Sequence, residues 1–120
     1  MGKKIFIFDD NQDILELCSL ILEDAGYEIK TSQSSNHIIE QVAEFEPDII
    51  LMDNWLPDLG GVEATQMIKK HPVYKNIPVI YFSANNDIKA LAETAGADTY
   101  LAKPFDIEAL ETIITSTIGE

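Results

Sequence analysis

The chain has 120 residues, 46% of them hydrophobic, and sets 21 acidic side chains against 8 basic ones for a net charge of −13. That length suits one domain with its own core, and the apolar content excludes a disordered chain. All eight basic residues are lysines, so this acidic surface repels phosphate backbones, and direct nucleic-acid binding is excluded.

The longest uninterrupted apolar runs are four or five residues, far short of a bilayer span, so no membrane insertion is expected. The start, Met-Gly-Lys-Lys, runs almost directly into a strand and leaves no room for a signal peptide. The single Cys18 has no disulfide partner and reads as a small core residue on a helix. Together these point to a cytoplasmic domain. His37 and His71 stand apart from other soft ligands, which excludes a zinc site, and both are expected on solvated helix surfaces.

Hydrophobic periodicity alternates five times between strand-like runs and helical spacing. The first strand is Lys4–Phe8. Asn11 caps a helix through Ile14, Leu17, Cys18, Ile21 and Ala25, which Gly26 stops. Tyr27–Thr31 alternates polar and apolar residues, as a half-exposed edge strand does. Ile38, Val42 and Phe45 mark a second helix, broken by Pro47, and Ile49–Met52 is the third strand. Pro57–Gly61 is a loop by composition, and a third helix is expected over Val62–Lys70, ended by Pro72.

Pro78 introduces the fourth strand, Val79–Phe82. Ile88, Leu91, Ala92 and Ala95 form the face of a fourth helix that Gly96 closes. Thr99–Ala102 reads as a fifth, buried strand. Asp106 then caps a helix with Ile107, Leu110, Ile114 and Ile118 on one face. Such alternation implies right-handed βαβ crossovers and an α/β domain with a doubly wound parallel sheet of five strands.

In such a sheet the carboxyl ends of the strands share one edge, where ligands bind. Asp9 and Asp10 follow the first strand, Asp53 the third and Lys103 the fifth, so they converge there. Three carboxylates together call for a divalent cation, and a lysine beside them calls for an anion. The combination points to phosphoryl chemistry.

Taken together, Phe8-Asp9-Asp10-Asn11, Met52-Asp53-Asn54-Trp55-Leu56-Pro57 with Gly61, Phe82-Ser83-Ala84, and Tyr100-Leu101-Ala102-Lys103-Pro104-Phe105 resemble the receiver domain of two-component response regulators. Each motif alone is weak; all four in order, at the proper strand ends, are specific, and the resemblance spans residues 1–120 as a single domain. It implies the flavodoxin-like strand order 2-1-3-4-5, which this fold shares with flavodoxin.

The resemblance also implies that Asp53 accepts a phosphoryl group from a phosphohistidine on a sensor histidine kinase or a histidine phosphotransfer protein. Such a domain is no enzyme beyond catalysing its own aspartyl phosphorylation and dephosphorylation. It implies Mg²⁺ held by Asp10 and Asp53 directly, by Asp9 largely through water, and by the Trp55 backbone carbonyl. Lys103, the Ser83 hydroxyl and the Ala84 backbone N–H would then contact the phosphoryl oxygens. With no arginine in the chain, Lys103 acts as a point charge rather than a bidentate clamp. A cis peptide before Pro104 is implied as well.

For signalling, the resemblance implies that Ser83 shifts toward the phosphoryl group and that Tyr100 rotates inward. That repacks the surface of the fourth helix, fifth strand and fifth helix for a downstream protein target or a fused output domain.

Competing readings are weaker. A flavin-binding redox domain needs a hydroxyl- and glycine-rich phosphate loop after the first strand, where Asp9-Asp10-Asn11-Gln12 would repel phosphate. An aspartyl phosphatase needs a general acid two residues after its nucleophile, where Trp55 stands. A receiver-like scaffold that binds proteins without phosphorylation is the alternative, and the intact acid pair, acceptor and lysine argue against it.

Overall fold

In the computed structural model, residues 2–119 are described; Met1 and Glu120, the ends of the expected 1–120 domain, lie outside the described residues. Five strands and five helices alternate: β1 (Lys4–Phe8), α1 (Gln12–Asp24), β2 (Glu28–Ser32), α2 (Ile38–Phe45), β3 (Ile49–Asp53), α3 (Gly61–Lys70), β4 (Val79–Ser83), α4 (Ile88–Ala95), β5 (Thr99–Ala102) and α5 (Ile107–Ile118). All strand pairs are parallel, in the order β2-β1-β3-β4-β5. This is the doubly wound parallel sheet expected from the alternation, in the flavodoxin-like order that the resemblance implied.

Strand residues two apart point to the same face of the sheet. Ile5, Ile7, Ile49, Leu51, Ile80 and Phe82 therefore meet Leu15, Cys18 and Leu22 of α1 and Leu110 and Ile114 of α5. Phe6, Phe8, Ile50, Met52 and Val79 meet Ile38 and Val42 of α2 and Ala64 and Ile68 of α3. Tyr81 packs beneath Ile88, Ala92 and Ala95 of α4. The three central strands, covered on both faces, are apolar except at their end residues Lys4, Asp53 and Ser83, as buried parallel strands are. Among the described residues, no helix is long and apolar enough to cross a membrane.

Several boundaries move for local reasons. The Tyr27 N–H donates to the Leu22 carbonyl at the end of α1, so pairing of β2 begins only at Glu28, whose N–H reaches Lys3. Gly61 is already helical, because the Ala64 N–H donates to the Gly60 carbonyl at 2.9 Å and closes the first turn, while the Gly61 N–H is free to turn back onto the Asn54 carbonyl at 3.0 Å. Asp53 and Ser83 are the last residues of β3 and β4 rather than the first of their loops.

Strand β5 is not buried as its apolar run suggested. It is an edge strand paired only with β4, and Tyr100 and Ala102 face outward. Tyrosine and alanine are tolerated on such a face, so their sequence carries no alternation to read. His37 and His71 stand at the N-cap of α2 and the C-cap of α3, not on helix flanks.

Candidate functional site

The carboxyl ends of β1, β3, β4 and β5 deliver polar groups to a cleft of about 440 Å³ lined by Asp9, Asp10, Asn11, Asp53, Trp55, Ser83, Ala84, Asn85 and Lys103. Asp9 continues β1, its N–H held by the Ser32 carbonyl at 3.1 Å. Its side chain is 1% exposed and accepts from Asn11 N–H at 2.9 Å and Lys103 Nζ at 2.8 Å. Asn11 in turn caps α1, its Oδ1 accepting from Asp13 and Ile14 N–H. Asp10 is exposed at the rim, and its carbonyl accepts from Gln33 Nε2.

Asp53, 4% exposed, receives Lys103 Nζ on Oδ1 at 2.7 Å and Trp55 N–H on Oδ2 at 3.1 Å. One carboxylate oxygen from each of Asp9, Asp10 and Asp53 lies within 4.8 Å of the others. Three hard oxygen donors that close form a site suited to a small divalent cation. Lys103 Nζ also sits 4.6 Å from the Phe82 ring centroid, and the peptide bond to Pro104 is cis.

Electrostatics follow from this crowding. Burial raises the Asp53 pKa above the ordinary carboxylate range and the Asp9 charge adds to it, while Lys103 opposes both. For Lys103, burial pulls the pKa down, but its hydrogen bonds to Asp53 and Asp9 outweigh that and hold it above the usual lysine value. Burial, with Asp53 nearby, pushes the Tyr81 phenol up to about 12, so it stays a hydrogen-bond donor. Cys18, buried under the cleft floor, is pushed to about 11, chiefly by burial and then by the Asp9 charge. An inert thiol fits its place in the core.

Ser83 is buried, its Oγ accepting from Asn85 N–H at 3.0 Å, and Ala84 is exposed beside it. Trp55 stands at the mouth with 72% of its surface in solvent. The structure thus gathers Asp9, Asp10, Asp53, Lys103, Ser83, Ala84 and Trp55 into one cleft. Tyr100 is apart, 40% exposed on β5 and outside the cleft lining.

Two contacts to the loop after β3 escape sequence reasoning. The Tyr81 hydroxyl donates to Asn54 Oδ1 from below. Ser35, fully buried, accepts from Leu59 N–H at 2.8 Å and lies within hydrogen-bonding distance of the Pro57 and Leu59 carbonyls. Neither had a local signal: Tyr81 reads as one more apolar strand residue, and Ser35 as one of several loop serines.

A doubly wound parallel domain of order 2-1-3-4-5 with an acidic cleft at its carboxyl edge defines the CheY-type class of the flavodoxin-like fold. The chain belongs to the response regulator receiver domain family, whose sequence model matches residues 5–115. It is 30% identical over 123 residues to the polar-differentiation response regulator DivK of Brucella abortus, covering all of this chain and 99% of that one. It is 31% identical to protein PilG of Pseudomonas aeruginosa, covering 91% of this chain and 82% of that one.

A match at 34% identity to the autoinducer sensor kinase/phosphatase CqsS of Vibrio cholerae covers 90% of this chain but only 16% of that protein, and the phosphate regulon regulator PhoB of Pseudomonas aeruginosa is spanned over 47% of its length. Among solved structures, the receiver domain of the sensor histidine kinase PA1611 from Pseudomonas aeruginosa superposes with a TM-score of 0.90 at 29% identity, covering 100% of both chains, and holds a magnesium ion in its active-site cleft. Chemotaxis protein CheY4 of Vibrio cholerae gives 0.89 at 25% identity, with 98% and 99% covered. The general role of the family is phosphotransfer in two-component signalling, as phosphoacceptors rather than enzymes acting on a separate substrate.

Proposed function

We propose that residues 1–120 make up one receiver domain whose phosphoacceptor is Asp53, with a Mg²⁺ ion held by Asp10, Asp53 and the Trp55 carbonyl, and by Asp9 mainly through water. The observation that carries this reading is the Asp53 carboxylate, seated at the end of a buried strand among two further aspartates with Lys103 Nζ at 2.7 Å. The magnesium-bearing PA1611 receiver, similar over its whole length, supports the choice of cation.

An Asp53 oxygen attacks the phosphorus of a phosphohistidine on a sensor kinase or phosphotransfer protein. The new O–P bond forms as the P–N bond breaks, and the departing imidazole keeps the electron pair and takes up a proton. Lys103 stays with the transferring oxygens as a fixed positive charge, and the Ser83 hydroxyl and Ala84 N–H complete the cradle. Mg²⁺, when bound, neutralises the carboxylates that would otherwise repel the incoming phosphoryl group.

Burial of Asp53 readies it for this role: the pocket already disfavours an uncompensated charge there, so a cation or a phosphoryl–lysine pair relieves an existing cost. The new charge then draws Ser83 inward, and Tyr100, now outward on β5, turns in and alters the α4–β5–α5 surface for a protein target or fused output domain.

Trp55, the only tryptophan, makes the test direct. Fluorescence is followed through a Mg²⁺ titration and then addition of beryllofluoride, with Asp53→Asn as control. A saturable Mg²⁺ response and a second change lost in Asp53→Asn are expected. A folded protein silent to both would leave the phosphorylation-independent scaffold.

A further inference from the structure

Tyr81 is the largest fully buried side chain of the sheet and belongs to the packing beneath α4, against Ile88, Ala92 and Ala95. Its ring is explained by that packing; its hydroxyl is not. The hydroxyl runs across to the neighbouring strand end and donates to Asn54 Oδ1. Asn54 lies between Asp53 and Trp55, and its own carbonyl accepts from Gly61 N–H at 3.0 Å. One residue is therefore held at both its side chain and its backbone, in the turn where β3 hands over to the acceptor loop. On its far side the Trp55 N–H donates to Asp53 Oδ2.

We infer that Tyr81 is a positioning residue of the acceptor site: through Asn54 it holds the Asn54–Trp55 peptide, and with it the Trp55 carbonyl and the Trp55 N–H that orients the Asp53 carboxylate. The inference rests on the receiver reading for the role of the carbonyl, and on geometry alone for the hold itself. The physical logic is preorganisation. A ligand oxygen on an untethered loop has to be immobilised when the cation arrives, whereas here the residue just before it is already tied to a strand. The same hydroxyl also links the acceptor turn to α4, because the ring that carries it is wedged under that helix.

Tyr81→Phe removes one oxygen and leaves the packing in place, so the variant should fold. In the cation-free protein, amide exchange at Trp55 and Gly61 should speed up about fivefold, the effect of losing one net hydrogen bond, while β1 amides keep their rates. The Mg²⁺ dissociation constant, read from Trp55 fluorescence, should weaken about fivefold for the same reason. Asn54→Ala should reproduce both changes, and the double variant should be no worse than either single one, since both remove the same link.

Wild-type behaviour of Tyr81→Phe in both readouts would overturn the inference. So would additive effects in the double variant, or exchange accelerated equally throughout the domain, which marks a general loss of stability. If the wild type itself ignores Mg²⁺, the receiver reading fails, while the amide-exchange comparison still decides whether Tyr81 holds the turn.

Discussion

Gly61 begins α3, and its lack of a side chain matters for contact rather than for backbone freedom. A Cβ built there would lie 2.9 Å from Asn54 Cα and from the Asp53 carbonyl carbon, and closer still to the Asp53 oxygen. Carbon atoms prefer about 3.5 Å or more, so in Gly61→Ala the start of α3 must retreat by roughly 0.6 Å at the least. Every clashing atom is backbone, so no rotamer change relieves it. Overpacking of this kind costs about 1–3 kcal/mol. The Gly61 N–H bond to the Asn54 carbonyl, now 3.0 Å, would stretch toward loss at about 1 kcal/mol more.

Better helix propensity of alanine returns less than about 1 kcal/mol, leaving a net cost of about 1–4 kcal/mol, centred near 2.5. For a domain of this size that lowers the thermal midpoint by roughly 10 °C. Gly26 is the comparison: its φ is +101° but nothing lies within 4 Å of an added Cβ, so Gly26→Ala meets only the left-handed backbone penalty of about 1–2 kcal/mol. Circular-dichroism melts of both variants, followed by Mg²⁺ titration, separate the two causes. Gly61→Ala should melt lower and lose Mg²⁺ affinity, because the displaced backbone is that of Asp53 and Asn54; Gly26→Ala should keep its affinity. A Gly61→Ala protein melting no lower than Gly26→Ala would refute the steric argument.

Among the described residues, Thr65 Oγ1 is a buried side-chain polar atom without a hydrogen-bond partner, on the inner face of α3. Thr65→Val should stabilise the fold by about 1 kcal/mol, a gain of a few degrees in a thermal melt; a loss of stability would mean that the hydroxyl has a partner. Because the fold raises the Asp53 pKa, it binds that proton more tightly than the unfolded chain does. The associated stability is present in acid and is lost as pH rises from the ordinary carboxylate range through the raised value. In metal-free buffer, denaturant titrations should find Asp53→Asn gaining on the wild type across that window and level above it; a gap independent of pH would refute this. Trp55 and Asn85 both line the cleft that holds Asp53. Trp55→Ala should shorten the phosphorylated lifetime by several-fold, timed by loss of the phosphoryl label, and an unchanged rate would exclude shielding by the indole.

The sequence by itself determined the alternation of strands and helices, the faces of the helices and the meeting of four charged residues. These are local or topological facts. Short apolar runs such as Ile49–Met52, bounded by turn residues, read as strands, helical spacing such as Leu110–Ile114 marks the helices that cover them, and parallel strands present their carboxyl ends together. Asp9, Asp10, Asp53 and Lys103 were legible because each follows such a run.

The tertiary structure alone decided what depends on partners distant in the chain. The exposure of Tyr100 follows from β5 having one neighbour instead of two, a matter of sheet order that its apolar run conceals. Nearer in the chain but equally unmarked in the sequence, the Ala64 N–H bond to the Gly60 carbonyl starts α3 at Gly61, and the hold that Leu22 keeps on Tyr27 delays the pairing of β2 to Glu28. The hydroxyls of Tyr81 and Ser35 gain meaning only when strands and loops far apart in sequence are laid side by side. A hydrogen bond needs its partner within about 3 Å, and only the assembled sheet brings these partners that close.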